Sequence, residues 1–360
     1  MNVQLKIALC LLLLPAAVLA KDGKDQFKRT IDVSYPVSDG AALNVSNKYG
    51  KIILHTWNKK EVKATVVITG FGKNAEESKS ITESVDVNIN HSESAVSFQT
   101  NYMSNGRGWL SWSGKKDSKD YVNIDYEVYV PTTIGQLAIG NNFGDVITDD
   151  LPCSLKLTMN YCYYDIRSVS GTLDANMNYC TKGKFGKVGN MRARANYSTI
   201  KLDAVNTLDA KSNYCEYVIE NVNELLVSAN YDDYTITKVG RLQSNTTYSD
   251  FKIGTLTQDA DVKLVYSDVK IKELGANFKG INGRGTYSNI SVWLSDRLDV
   301  KVEGDLNHGD VNITGLSMKN VNSTEKSGHV NYSGRTNASC SACPVIRLTG
   351  VYSDLTVKGK

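Results

Sequence analysis

Histidine is the side chain that titrates nearest neutral pH, and this 360-residue chain has four: His55, His91, His308 and His329. None lies in a catalytic motif. H-E-x-x-H, G-x-S-x-G, a phosphate loop and a nucleotide-binding glycine fingerprint are all absent. Carboxylates offer a second chemistry, because a flanking pair of Asp or Glu can hydrolyse a glycosidic bond. The conspicuous acids are Asp149-Asp150, Asp232-Asp233, Asp250 and Asp268. Asp250 and Asp268 recur two residues after an aromatic, which reads as a solvated corner position. Calcium repeats need dense Gly and Asp in fixed alternation. Here Gly-Asp pairs fall only at 144–145, 304–305 and 309–310, too scattered for a metal array. No catalytic residue, cofactor or metal ligand is therefore expected. A polysaccharide-active enzyme using an Asp/Glu pair is the catalytic alternative.

What must position any of these groups is a repeat. Phe143, Tyr161, Tyr179, Tyr197, Tyr214, Tyr231, Tyr248 and Tyr266 follow one another at intervals of 17 or 18 residues. The first six are preceded by Asn. Companion apolar positions recur too: Tyr197 is followed by Ile200, Leu202, Val205 and Leu208, and Tyr231 by Tyr234, Ile236, Val239 and Leu242. A one-residue spacer is the period of a strand, with both flanking side chains on one face. Two-residue spacers mark corners where the inward face is re-established. The unit matches one coil of a β-solenoid, which buries its apolar face only by stacking on its neighbours. The fold expected is thus all-β, a β-solenoid of 17–18 residues per coil. Leucine-rich repeats and propeller blades need longer units. The Asn before each ring is expected to tolerate left-handed backbone and to ladder up the stack. Pairs next to the ring, such as Ser198-Thr199, Cys215-Glu216 and Asp232-Asp233, read as outward and variable.

Seven cysteines occur, Cys10 and six beyond residue 150. An even set in an exported chain suits disulfides. Cys162 and Cys180 lie one coil apart, so stacking sets their β-carbons about 4.8 Å apart, slightly beyond the bridging range of about 3.5–4.5 Å. They are either a disulfide after a small local shift or two buried thiols. Cys340 and Cys343 have redox spacing, but no thioredoxin-like unit surrounds them, so a closed loop staple is expected. Trp109 and Trp112 lie among Gly and Ser, with Lys115 and Lys116 close behind. They are the candidate partner contact, for a glycan or a cell-envelope protein. The alternative is that they fold back over the solenoid.

Residues 1–20 carry one charge, Lys6, then an apolar run closing on Val18-Leu19-Ala20. That is the pattern of a secretory signal peptide, and no later apolar run approaches the length of a transmembrane helix. Residues 21–136 read as an N-terminal β-rich part with longer strands. Leu43–Ile52 matches Leu137–Val146 position by position in type. Asn74–Thr82 reads as a short helix capped by Asn74, with Glu77 three residues on. Residues 137–274 are the regular coils. Residues 275–360 are irregular coils with a polar excursion at 315–342, and the 351–357 coil ends the chain, its edge protected by Lys358 and Lys360. The charge balance, 41 basic against 38 acidic residues, argues against a nucleic-acid partner.

The pieces Val45–Ile52, Trp57-Asn58, Glu61-Val62, Tyr126–Pro131 and Asn142–Val146 resemble a known group, as do the Tyr-Ser-Asp-apolar runs at 248–251 and 266–269. It is the adhesin-like family of exported bacterial β-solenoid proteins of unknown function, common in Bacteroidetes. The resemblance covers most of the chain beyond residue 20. It implies export to the periplasm or outer cell surface, and a binding or scaffolding role without catalysis. That family's name rests on shape, so no site residue carries over. The cysteine positions and the 315–342 excursion depart from its pattern. A purely structural spacer is the remaining alternative.

Overall fold

The computed structural model describes residues 25–102, 121–295, 298–340 and 342–359. They form an all-β chain, a long and mostly parallel sheet of many strands, with one helix among the described residues. By contacts the chain divides into two units.

The first unit gathers the described residues of 1–30, 67–86 and 101–123. It holds the helix Ala75–Glu83, whose N-terminus is set as its sequence predicts. The Asn74 side chain accepts the Glu77 N–H at 2.8 Å, and Glu77 accepts the Lys73 N–H at 2.9 Å. Ser78 and Thr82 bury the inner face and donate to the carbonyls of Asp25 and Phe27.

The second unit contains the repeat. Six strands of 15 or 16 residues lie side by side, from Tyr163–Asn178 through Asp250–Val265. Each pairs in parallel with the next in the register of the sequence repeat: Ile200 stands opposite Tyr217, Tyr217 opposite Tyr234 and Tyr234 opposite Phe251. Register shifts between Val169 and Thr172, and between Val239 and Arg241, take up one-residue differences between repeats. The two-residue spacers do not interrupt pairing. They appear as slips in the alternation of buried and exposed residues, so Ile200, Leu202, Val205 and Leu208 all point inward. Large side chains at the third position after the ring (Tyr164, Tyr217, Tyr234, Phe251), and Phe185 in the neighbouring column opposite Ile166 and Leu202, are fully buried in an interior that also holds Ala175, Ala193 and Ala210. Big and small columns together fill the interior.

Chain order and spatial order differ at both ends of this unit. Ala42–Lys48 and Ile52–Trp57 stand between the strands of 95–131 and those of 136–151. Val345–Val351 and Leu355–Gly359 stand between the strands of 280–294 and those of 301–314. The 351–357 segment, expected to form an exposed edge, is therefore not one. It is flanked on both sides, and edge protection falls elsewhere. The polar excursion forms a hairpin, Lys319–Lys326 with His329–Arg335, which pairs antiparallel to Lys301–Asn307. A parallel stack cannot continue there without another repeat, and an antiparallel hairpin closes its hydrogen bonds with a short local connection.

Candidate functional site

The most regular surface feature is the ring column. Twelve rings, from Tyr49 and Phe143 through Tyr287 and Tyr352 to His308, stack with centroids 4.7–5.5 Å apart. Ten of them are 45–52% exposed. All twelve residues have left-handed backbone, φ 49–65°. The sequence reading placed that geometry on the preceding Asn; the structure places it on the ring. The Asn residues end the strands instead, and Asn142, Asn160, Asn178, Asn196, Asn213 and Asn230 link amide to amide at 2.6–3.1 Å. Because neighbouring rings cover one another's faces, the column offers edges and hydroxyls, not stacking platforms.

From Tyr161 to Tyr352 the residue after each Tyr of the column, read as outward, is buried. Ser198, Ser249, Ser267, Ser288 and Ser353 each accept a backbone N–H from the adjacent repeat at 2.9–3.1 Å. Each donates to the carbonyl two residues before it. The corner leaves that N–H without a ladder partner, so a buried acceptor must be supplied by a side chain. Asp232 fills the same place. Its carboxylate accepts from the Cys215 N–H at 2.8 Å, the Ser212 hydroxyl at 2.6 Å and the Tyr234 hydroxyl at 3.2 Å. Burial raises its pKa above the usual 3.8 against the pull of these donors. Asp232 is thus an interior group, while its neighbour Asp233 is exposed. Asp250 and Asp268 accept the backbone N–H of Asp268 and Asn289 at 2.9 and 3.0 Å.

Cys162, Cys180 and Cys215 share this buried column, and with Cys153 they are free thiols in the structure. Burial pushes Cys153 up to about 11 and Cys215 up to about 12, so neither is a ready nucleophile at neutral pH. Cys340 and Cys343 are joined by a disulfide, and Arg335 donates to the Cys340 carbonyl at 2.9 Å. Trp109 and Trp112 lie outside the described residues.

A second constellation gathers residues that no motif connects. On three adjacent strands of the second unit, His55 faces Tyr129 on one side and Asp149 on the other. His55 Nδ1 lies 3.0 Å from Asp149 Oδ2, and Nε2 lies 3.7 Å from Glu127 Oε1. Tyr129 donates its hydroxyl to Glu127 Oε1 at 2.7 Å. That bond, with the nearby Glu127 and Asp149 charges, raises the phenol pKa. The Tyr129 ring lies 4.9 Å from His55 and 5.1 Å from Trp57. Trp57 donates its indole N–H to the Glu61 carbonyl at 2.9 Å, and the Lys59 ammonium stands 4.8 Å over its ring. The matching of Leu43–Ile52 to Leu137–Val146 carries this signal: extended three residues, it sets His55 beside Asp149.

No family model matches the chain, and no curated protein matches it. Among solved structures, a "putative adhesin" of Parabacteroides merdae is 12% identical, over 73% of this chain and 96% of that one, with a TM-score of 0.38. A "putative adhesin" of Parabacteroides distasonis is 10% identical, over 73% and 97%, with a TM-score of 0.33. A "putative cell adhesion protein" of Clostridium sporogenes is 12% identical, over 92% and 100%, with a TM-score of 0.19. Superpositions this loose carry no weight for function, and the fold rests on the strand register. No helix among the described residues is long and apolar enough to cross a membrane.

Proposed function

We propose that the chain is a β-solenoid acting as a non-enzymatic, exported cell-envelope module of adhesin-like kind. It binds or scaffolds a glycan or an envelope protein through its outward residues. One observation carries this reading: the repeated residues are consumed in holding repeat to repeat. The rings stack, the Asn amides ladder and the buried Ser, Cys and Asp line one interior column. Chemistry toward a partner is left to the outward positions, which differ from repeat to repeat. In this reading residues 1–20 are a cleaved export signal, 21–136 an N-terminal part, 137–274 the regular coils and 275–360 an irregular C-terminal part.

Trp109 and Trp112 are the proposed contact, on their sequence context alone. The test is a glycan-array and envelope pull-down comparison of the protein lacking residues 1–20 with a Trp109→Ala, Trp112→Ala double variant. A partner held by the first and lost by the second, with unchanged circular dichroism, supports the module. Equal capture by both discards this contact, and no capture by either favours a spacer. Turnover of a polysaccharide abolished by one Asp or Glu substitution would establish the enzyme instead.

A further inference from the structure

Outward positions on most repeats carry Lys, Arg, Thr, Asp or Glu, some paired between neighbouring repeats as Arg194 is with Asp174 and Arg241 with Asp259, the ordinary solvated pattern. The face holding His55, Trp57, Glu127, Tyr129 and Asp149 departs from it. Three aromatic rings and two carboxylates sit together there, all on the solvent side of the sheet and none needed by the core. Side-chain exposure is 32% for His55, 38% for Asp149 and 49% for Glu127, so a ligand can reach them.

The hydrogen-bond inventory decides what such a ligand must be. The ring and hydroxyl donors of the cluster are engaged: His55 Nδ1 with Asp149, the Tyr129 hydroxyl with Glu127 and the Trp57 N–H with Glu61. Acceptors remain. Among the described residues Asp149 Oδ1 and Glu127 Oε2 carry no hydrogen bond, and both flank the rings. Sugar hydroxyls could donate to these acceptors, but a cation gains charge attraction from both carboxylates and from the ring faces as well. A metal ion is not favoured either. The two imidazole nitrogens face different carboxylates, and no three His, Cys, Asp or Glu among the described residues are grouped to hold an ion. Acceptors beside π faces suit a cation. The local charge is mostly acidic: residues 121–150 contain Asp125, Glu127, Asp145, Asp149 and Asp150 with no Lys, Arg or His, and the nearby cations Lys59, Lys60 and Arg167 are themselves paired with Glu61, Asp39 and Asp150. The chain also places its own ammonium, Lys59, over the Trp57 ring.

We propose that this face is a docking site for Lys or Arg side chains of a basic polypeptide partner, held by Glu127 and Asp149 against the Tyr129 and His55 rings. The site is independent of the Trp109 and Trp112 contact, so either can fail without the other.

Titration calorimetry with hexalysine tests it, using the protein without residues 1–20. A Glu127→Gln, Asp149→Asn variant keeps the shape and removes two charges. An Asp203→Asn, Glu220→Gln variant makes the same charge change on other repeats. Binding should weaken at least tenfold in the first and stay within about twofold in the second, well beyond a general electrostatic effect. Tyr129→Phe keeps the ring and releases Glu127 from the phenol, so it should bind hexalysine as tightly or more so. Absence of hexalysine binding to the wild type overturns the proposal. So does equal weakening in both charge variants, or loss of binding in Tyr129→Phe with an unchanged melting temperature. Binding of neutral cellohexaose, lost in the first variant, would make the site a glycan site.

Discussion

At Tyr231 two effects oppose one another. Its φ of 58° costs an ordinary residue roughly 1–2 kcal/mol. Stacking on Tyr214 and Tyr248 at 4.8 Å returns about 0.5–1.5 kcal/mol per pair. Tyr231→Asn loses the stacking but tolerates the backbone, whereas Tyr231→Val loses the stacking and adds β-branched strain. Val should therefore be the less stable variant by about 1 kcal/mol or more in urea unfolding, and equal midpoints would refute the balance. Asp232, next in the chain, carries a pH signature. Its raised pKa means that the folded state holds a proton the unfolded state releases. The stability this contributes is present below the usual 3.8 and is lost as pH rises through the folded pKa. Asp232→Asn keeps an amide oxygen for the Cys215 N–H and does not titrate. Its stability relative to wild type should rise as pH increases above the usual 3.8, and a flat difference would count against a buried, strained carboxylate. The spacing of the rings was legible in the sequence, but their orientation was not. Hydropathy reads Ser and Asp as outward and Tyr as a core residue. The corner inverts this because an unpaired backbone N–H needs a buried acceptor.

The C-terminal strands Val345–Val351 and Leu355–Gly359 hold two neighbouring segments together. Arg347 reaches Glu303 on the adjoining strand at 2.7 Å, and Lys301 also pairs with Glu303. Burial raises the Glu303 pKa, but the two cations outweigh it and hold the carboxyl below its usual value. No sequence signal distinguishes this arrangement from simple chain order. Segments 280–286, 301–307 and 345–351 all show the same alternation, and register alone selects which pair meets. The His55 cluster was hidden for a related reason, since its members come from segments separated by up to 94 residues. A chain cut after Pro344 keeps the strands of 301–335 but removes what joins them to 280–294. Limited proteolysis should cleave that chain rapidly between 300 and 344 while leaving 163–294 intact. A chain cut after Leu294 should resist across the same 163–294 stretch. Protection of 301–335 in the first chain would show that the inserted strands are dispensable.

Across the second unit, stability is a matter of neighbours. Each repeat meets only the one before and the one after, so opening is governed by local pairing and spreads from ends or weak rungs. The strands from Lys182–Asn196 to Asp233–Thr247 have full-length partners on both sides, continuous ring stacking and a buried polar column. The hairpin at the other extreme is exposed along all of Lys319–Lys326, which pairs on one side only. That edge carries Lys319, Lys326 and a left-handed Asn320 beside a register shift, features that discourage another strand from adding to it. Native-state hydrogen exchange should therefore be slowest in amides of 180–249, including the corner N–H groups of Cys180, Asp232 and Ser249 held by side chains. It should be fastest in 319–335. The corner amides separate this account from a general centre-to-edge gradient. Replacing Ser249 with Ala removes the acceptor for the Asp232 N–H, so exchange at that amide should accelerate far more than at amides two repeats away. Unchanged protection of the Asp232 N–H would mean that the buried serines are fillers and not part of the bonding that joins one repeat to the next.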